Sequence, residues 1–485
     1  MLDINSLNKQ YIAGTWIDGK SSRTLKDINP YNGDVITEFK MASTEDIDAA
    51  YSAAQAAMDE WNQINPYQQR DILERAVTYI DAHEEEITNL IIDELGGTRL
   101  KAAFEIGLVK NMIKEAATFP LKKEGKILPS VENGKENRLY RMPAGVVGVI
   151  SPFNFPFFLS IKSIAPAIGA GNGVVLKAHE ETPIVGGTLI AKIFEEAGIP
   201  KGLFNVVVTD INEIGDSFVE HPIPRIISFT GSTGVGRHIA QLAAKHFKKA
   251  LLELGGNSAF IILDDADIDY AVNAAAFSRF THQGQICMSA NRIIVHQSVY
   301  DEFISKYREK IASLKTGDPR DPDTVIGPVV NERAAQTLKA IIEKGIEQGA
   351  EPLLRGNISG NMVEPTILTG VTPDMDIARE EMFGPVVSVM TFNTDEEAIQ
   401  IANDTDFGLS GAVHTRDGER GVQLAKQVQT GMIHVNDITI NDEPIVAFGG
   451  EKQSGLGRLN GEWSLEEFTT LKWISINYGQ RQFPY

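Results

Sequence analysis

The sequence predicts an α/β fold built on a doubly wound parallel sheet, and three observations carry that prediction. First, Val146-Val147-Gly148-Val149-Ile150, Gly173-Val174-Val175-Leu176 and Phe204-Asn205-Val206-Val207-Val208 are short, nearly continuous apolar runs, as expected of strands buried on both faces. Second, helical stripes over 156–168 and 183–197 separate them. A fourth run, Ile226-Ile227-Ser228-Phe229, leads through Gly231-Ser232-Thr233-Gly234-Val235-Gly236 into a helix that reaches Ala244. Strands alternating with helices make a parallel sheet, and such sheets bind ligands at the carboxyl ends of their strands. Third, a further series of strand and helix patterns runs over 259–446, and 485 residues suffice for two or three domains.

Taken in order, Ser43-Thr44-Glu45-Asp46 reads as a capping box with Asp in place of the commoner Glu. Ile47, Tyr51, Ala54, Met58 and Trp61 then keep one helical face. One helix is expected over 67–95, closed by Gly96-Gly97, and another over 100–119, stopped by Pro120. The polar stretch 127–141 reads as a projecting hairpin that turns at Asn133-Gly134. Glu253-Leu254-Gly255-Gly256 interrupts an apolar run and reads as a domain junction. A helix over 267–280 leads to Gln283-Gly284-Gln285-Ile286-Cys287, and Arg292-Ile293-Ile294-Val295 is the next strand. At the end, Ile474, Ile476 and Tyr478 alternate with polar residues as in a strand. The chain has no internal repeat and no low-complexity segment.

Composition removes several classes of function. A formal net charge of −20 argues against a nucleic-acid groove or a polybasic membrane surface. A single cysteine excludes a disulfide framework and a thiolate-rich metal site, and no metal is expected. Met1-Leu2-Asp3-Ile4-Asn5 has no basic segment followed by an apolar run, and the longest apolar stretches are cut by Lys162 or Asp264. A cytoplasmic location is the expectation.

The chemistry-bearing candidates sit on loops. Cys287 lies between a helix and a strand; a lone cysteine is either a small buried hydrophobe or a nucleophile. Glu253, among Leu251, Leu252 and Leu254, has a raised pKa if buried, as suits a general base; the alternative is an exposed edge-strand acid. Asn154, after Ser151-Pro152-Phe153, could donate to an oxyanion or simply make a turn. Gly231 to Gly236 spell G-x-x-G-x-G, which is not the dinucleotide fingerprint, yet strand before and helix after could face a phosphate. Lys177 and Glu180, past the second strand, could bond ribose hydroxyls or be a solvated pair. Glu381-Met382-Phe383-Gly384-Pro385 sets an acid and an aromatic beside a turn, where the acid could hold a sugar and the ring flank a nicotinamide. His282, nearest to Cys287 in sequence, would matter to a Cys-His hydrolase.

Together these stretches resemble the NAD(P)-dependent aldehyde dehydrogenase superfamily over nearly the whole chain. The resemblance rests on Ser151-Pro152-Phe153-Asn154-Phe155-Pro156, Lys177, Phe229-Thr230-Gly231-Ser232, Leu252-Glu253-Leu254-Gly255-Gly256, Gly284-Gln285-Ile286-Cys287, Glu381-Met382-Phe383-Gly384-Pro385 and Phe448-Gly449-Gly450, in the family's order. Within it the chain is similar to the bacterial benzaldehyde/vanillin dehydrogenase branch. The resemblance implies a Rossmann-like NAD domain (1–120 and 144–254), an α/β catalytic domain (255–458), and a β oligomerisation arm with a C-terminal tail (121–143 and 459–485). It implies Cys287 as nucleophile, Glu253 as base, and Asn154 with the Cys287 amide as oxyanion hole. Lys177 and Glu180 would hold the adenosine ribose, and Gly231, Ser232, Thr233, Gly234, Val235 and Gly236 would lie at the pyrophosphate. Glu381 would hold the nicotinamide ribose beside Phe383, and Ile150, Ser151, Pro152, Phe153 and Leu254 would run along the cofactor.

The implied reaction is oxidation of an aldehyde, of aromatic type, to the acid through a cysteine thiohemiacetal and thioester. NAD is expected over NADP because Glu180 opposes a 2′-phosphate. The implied state is a homodimer or homotetramer. Two departures stand out: Ile286 and Met288 flank the nucleophile where some relatives carry cysteines, and Ala178 replaces a frequent proline, which is expected to loosen the adenosine end. Phe153, Phe155, Phe157, Phe158 and Met288 supply apolar bulk near the site. An aliphatic or broad-specificity dehydrogenase, a thiol esterase, a coenzyme-A-dependent acylating enzyme and a silent superfamily member are the alternatives. The acylating variant sits badly with an acid at Glu253, and the silent one with the intact set Cys287, Glu253, Asn154 and Glu381.

Overall fold

In the computed structural model, which describes residues 4–485, the predicted apolar runs form Val147–Ile150 (β1), Val174–Lys177 (β2), Phe204–Val207 (β3) and Ile226–Thr230 (β4). Met1 to Asp3, part of the stretch expected to carry no leader, lie outside the described residues. Lys249–Glu253 (β5) is a strand the sequence reading missed: its apolar residues run straight into a junction that masks it. β1 pairs in parallel with β2 and β4, β2 with β3, and β4 with β5. The order 3-2-1-4-5 reverses direction between β1 and β4, the switch point at which doubly wound sheets bind ligands. Thr15–Ile17 and Gln10–Ile12 extend one edge and Gly455–Leu456 the other, giving eight strands.

A second, seven-stranded sheet holds Ser258–Ile262 (β6), Ala290–His296 (β7) and Val386–Phe392 (β8) side by side and parallel. Apolar cores cover both of its faces, so its strands are buried on both sides. Gly256, Cys287 and Glu381 all lie just before β6, β7 and β8, at the amino ends of these strands. The carboxyl ends of the first sheet and the amino ends of the second supply the two halves of one site.

Pro156–Gly169 (α1) follows β1 and is buried along its whole length. Its first turn is held by Glu105, whose Oε1 accepts from the Phe157 and Phe158 amides at 2.9 and 3.1 Å. A carboxylate at a helix N-terminus opposes the helix dipole, and Lys101 balances the buried charge. Thr233–Lys245 (α2) follows β4, and Ile268–Phe280 (α3) leads to the cysteine loop.

Several expectations are refined. Asp46 Oδ2 accepts from the Ser43 N–H at 2.9 Å, so Asp serves in the capping box, and Trp61 is buried. The helix expected over 67–95 is two, Pro66–Ala82 and Glu84–Leu95. His83 is non-helical (φ −121°, ψ 18°), and Glu84, Glu85 and Glu86 favour a new N-terminus. The helix expected over 183–197 opens with a π turn, Ile184–Thr188. The hairpin pairs Lys126–Leu128 with Lys135–Pro143, and residues 129–134 connect the strands, with Gly134 at φ 73° as the last of them. Thr469–Asn477 adds antiparallel to Lys135–Pro143, completing a three-stranded sheet with Leu471, Trp473 and Ile127 exposed. No helix among the described residues is long and apolar enough to cross a membrane.

Candidate active site

The cysteine loop begins with backbone that few residues tolerate. His282, Gln283 and Gly284 follow one another at φ 52°, 53° and 71°. Such conformations are costly for residues with a Cβ and persist only where surrounding contacts hold them. Gln283 Nε2 donates to the Pro328 carbonyl at 2.7 Å, and Gln285 Oε1 accepts from the Val330 amide at 3.0 Å. Asn154 Nδ2 donates to the Gln285 carbonyl at 3.0 Å, so the first sheet's loop is tied to the cysteine loop. One of the two Asn154 N–H groups is used in this way.

Cys287, half-buried, shares a cavity with Asn154, Glu253 and Thr230. The other walls are Phe104, Leu108, Phe155, Phe158, Leu159, Ile286, Met288, Ile440 and Phe448, with Asp442 as a further polar group. Loss of water pushes the thiol up to about 12; the nearby Glu381 and Glu253 add to the rise and Lys162 opposes it.

Glu253 closes β5, and its Oε2 is buried without a hydrogen-bond partner. Burial pushes its carboxyl up to about 8, against the pull of the Lys162 ammonium. A carboxyl left without donors in an apolar cavity can exchange a proton near neutral pH. The following glycines now have a reason. A Cβ on Gly255 would lie 2.4 Å from Glu381 Oε2, and one on Gly256 would lie 2.2 Å from the Cys287 carbonyl oxygen. Glu381 Oε1 accepts from the Gly256 amide at 3.0 Å, and burial lifts this carboxyl to about 7.

The remaining candidates line the end of the first sheet. Lys177 Nζ bonds Glu180 Oε1 at 2.8 Å. Burial alone would raise Glu180, but Lys177 outweighs it and holds the carboxylate below its usual range. The Ala178 amide donates to the Val207 carbonyl at 3.1 Å, a bond proline cannot make, so this departure tightens the loop instead of loosening it. Ser232 caps α2 without a side-chain bond, a Cβ on Gly234 would meet nothing, and Val235 is exposed, so the first turn is open. Gly236 packs on Leu254 so closely that a Cβ would lie 2.3 Å from Leu254 Cδ2. Ser151 Oγ is buried and unpartnered. The Phe153 ring stands edge-on to both Phe383 (5.7 Å) and His179 (5.5 Å), joining the two loops. An open helix N-terminus and a Lys–Glu pair at strand ends on either side of β1, with an acid and an aromatic on the 381–384 segment, could hold a dinucleotide.

Some residues fall elsewhere than the sequence suggests. Phe155, Phe158 and Met288 line the cavity, but Phe157 is buried on the far side of α1 and Phe153 faces the neighbouring loops. The His282 ring is buried, packs edge-on against Phe155 at 5.5 Å and does not line the cavity that holds Cys287. Lys162 and Asp442 were missed. Lys162 Nζ bonds Asp442 Oδ2 at 2.5 Å, buried, and Asn460 Nδ2 donates to the other oxygen at 2.8 Å. The charged Lys162 within an apolar helix was the available signal.

Comparison with known proteins supports the same conclusion by an independent route. A sequence model of the aldehyde dehydrogenase family matches residues 16–474. The chain is 69% identical over 485 residues to "Benzaldehyde dehydrogenase YfmT" of Bacillus subtilis (strain 168), covering 100% of both chains. It is 50% identical over 470 residues to a vanillin dehydrogenase of Corynebacterium glutamicum, covering 96% of this chain and 97% of that one. The crystal structure of an NAD-dependent benzaldehyde dehydrogenase from Corynebacterium glutamicum superimposes with a TM-score of 0.90 at 47% identity, covering 98% of this chain and 99% of that chain. Likeness of this extent, in sequence and in shape, means that the chain belongs to the aldehyde dehydrogenase family.

Proposed function

We propose that this protein is an NAD-dependent dehydrogenase that oxidises aromatic aldehydes of the benzaldehyde or vanillin type to carboxylic acids. The observation that carries the reading is one cavity holding Cys287, Asn154 and Glu253 inside walls of Phe104, Phe155, Phe158 and Phe448. Flat apolar walls favour an aryl ring, and each good aromatic pair contributes about 0.5–1.5 kcal/mol. The relatives named above, a benzaldehyde and a vanillin dehydrogenase, point the same way.

The cofactor would lie across the sheet ends. Lys177 and Glu180 would take the adenosine ribose, Gly231 to Gly236 the pyrophosphate, Glu381 the nicotinamide ribose, and Phe383 one flank of the ring. Ile150, Ser151, Pro152, Phe153 and Leu254 would line its path. When bound, NAD supplies the acceptor for the aldehyde hydride. The chain's own residues do the rest. Cys287 Sγ loses its proton to Glu253, directly or through water, and bonds to the carbonyl carbon. The free Asn154 N–H and the Cys287 amide receive the oxyanion. Oxidation leaves an acyl thioester on Cys287. Glu253, having released its proton, takes one from water; the resulting hydroxide adds to the thioester, and the C–S bond breaks to give the acid and the thiolate.

Glu180 disfavours NADP through its charge. The 1–120 and 144–254 segments form the NAD domain and 255–458 the catalytic domain in this reading, with 121–143 and 459–485 as arm and tail. The exposed apolar residues of the arm support a homodimer or homotetramer. A free catalytic thiol suits the reducing cytoplasm. The test is kcat/KM for benzaldehyde, vanillin, hexanal and betaine aldehyde with NAD and with NADP, followed by the absorbance of the reduced cofactor. Both aromatics with NAD should lead. A lead of more than about tenfold for hexanal or betaine aldehyde would refute an aromatic-selective pocket.

A further inference from the structure

Arg279, in the last turn of α3, is wholly buried and does not line the substrate cavity. A guanidinium is a poor core filler, since burying a charge is costly and an apolar side chain of similar size would pack as well. Its contacts explain its presence. It donates to the backbone carbonyls of Met382 and Gly384 and to Asn291 Oδ1. Asn291 Nδ2 donates to the Gly256 carbonyl at 3.2 Å, and the Gly256 amide donates to Glu381 Oε1 at 3.0 Å. Glu381 is bonded to Met382, so the contacts close into a ring. That ring joins α3, the start of β7, the glycines after Glu253 and the 381–384 segment.

The same segment is hemmed in on its other sides. A Cβ on Gly284 would lie 2.4 Å from the Gly384 carbonyl oxygen, and one on Gly384 would lie 2.1 Å from Leu338. The Val386 amide also donates to the Gly384 carbonyl at 2.8 Å, but it is Arg279 that ties the segment to α3 and β7: its Nη2 serves the Met382 and Gly384 carbonyls while Nη1 reaches Asn291.

We propose that Arg279 is a positioning residue for the nicotinamide end of the cofactor site: through Met382 and Gly384 it holds the segment that presents the Glu381 carboxylate and the Phe383 ring to NAD. This rests on the function proposed above. A second effect acts in the same direction. Burial lifts Glu381 toward neutrality, while the Gly256 amide and the Arg279 charge oppose that rise and favour the carboxylate form a ribose hydroxyl would donate to.

The test compares wild type, Arg279→Met and Arg279→Lys in three measurements. One is NAD dissociation by titration without aldehyde. Another is KM for NAD and for benzaldehyde. The third is cofactor-free hydrolysis of p-nitrophenyl acetate, which needs Cys287 and the oxyanion donors but not the 381–384 segment. Arg279→Met should raise Kd and KM for NAD about tenfold or more, as a displaced positioning group does. KM for benzaldehyde and ester hydrolysis should stay within about twofold of wild type. Arg279→Lys, which keeps the charge without the fork, should fall between, and it carries the test where the methionine variant does not fold. Unchanged NAD affinity in the variants would overturn the proposal. So would ester hydrolysis falling in step with dehydrogenase activity, which would make Arg279 a support of the cysteine loop alone. If wild type binds NAD but oxidises no aldehyde, the proposed function fails, while the affinity comparison still decides the role of Arg279.

Discussion

Gly256 lies so close to Cys287 that a Cβ on it would fall 2.2 Å from the Cys287 carbonyl oxygen. Backbone from the end of the first sheet and backbone from the cysteine loop are in contact there, and only a hydrogen fits between them. Gly256→Ala should therefore displace the cysteine loop or the Glu253 strand. The expected cost is about 1–3 kcal/mol of stability. Because the displaced atoms include those that react in the proposed mechanism, kcat should fall by about 10²-fold. Thermal unfolding and steady-state kinetics on the purified variant check both, and wild-type kcat would show that the loops part without consequence.

The buried Lys162–Asp442 pair should set the pH dependence of Glu253. A carboxyl can act as a base only when ionised, and burial places that of Glu253 at about 8, so under the proposed mechanism thioester hydrolysis should rise with pH through that region. Lys162 favours the charged form, Asp442 opposes it, and Arg458 adds to the effect of Lys162. Lys162→Met should move the rising limb to higher pH, and Asp442→Asn should move it lower. Each breaks a buried pair and should cost about 3–5 kcal/mol of stability, so the shift is read on soluble enzyme from kcat against pH. Shifts of the same sign in both variants would contradict the electrostatic assignment.

Glu180 should decide between the two dinucleotides. Its carboxylate is held ionised by Lys177, at 2.8 Å, where it would meet a 2′-phosphate. Glu180→Gln should lower the NAD-to-NADP ratio of kcat/KM about tenfold, equivalent to about 1.4 kcal/mol. An unchanged ratio would assign the preference to another group.

What could be read from the sequence divides along physical lines. β1 to β4 were legible because strands buried on both faces write themselves as continuous apolar runs. Glu253, Cys287 and Glu381 were legible as local motifs, and the structure adds why Gly255 and Gly256 accompany them: each touches a different loop. The Lys162–Asp442 pair was not legible because 280 residues separate its members. Arg279 was hidden because a charged residue at the end of a helix reads as solvent-facing until the fold closes over it. The break at His83 was missed because apolar periodicity continues across it while the backbone does not. Of the phenylalanines after Ser151, only the backbone direction of α1 separates Phe155 and Phe158, in the cavity, from Phe157, behind it.

In the proposed mechanism Cys287 carries the acyl group and Glu253 removes it. The most direct measurement mixes Glu253→Gln rapidly with NAD and benzaldehyde, follows the reduced cofactor, and takes the intact protein mass after quenching in acid. The expected result is a burst approaching one reduced cofactor per subunit, slow turnover afterwards, and one benzoyl group on Cys287. A variant that turns over at the wild-type rate, or a burst that leaves no adduct on Cys287, would contradict it.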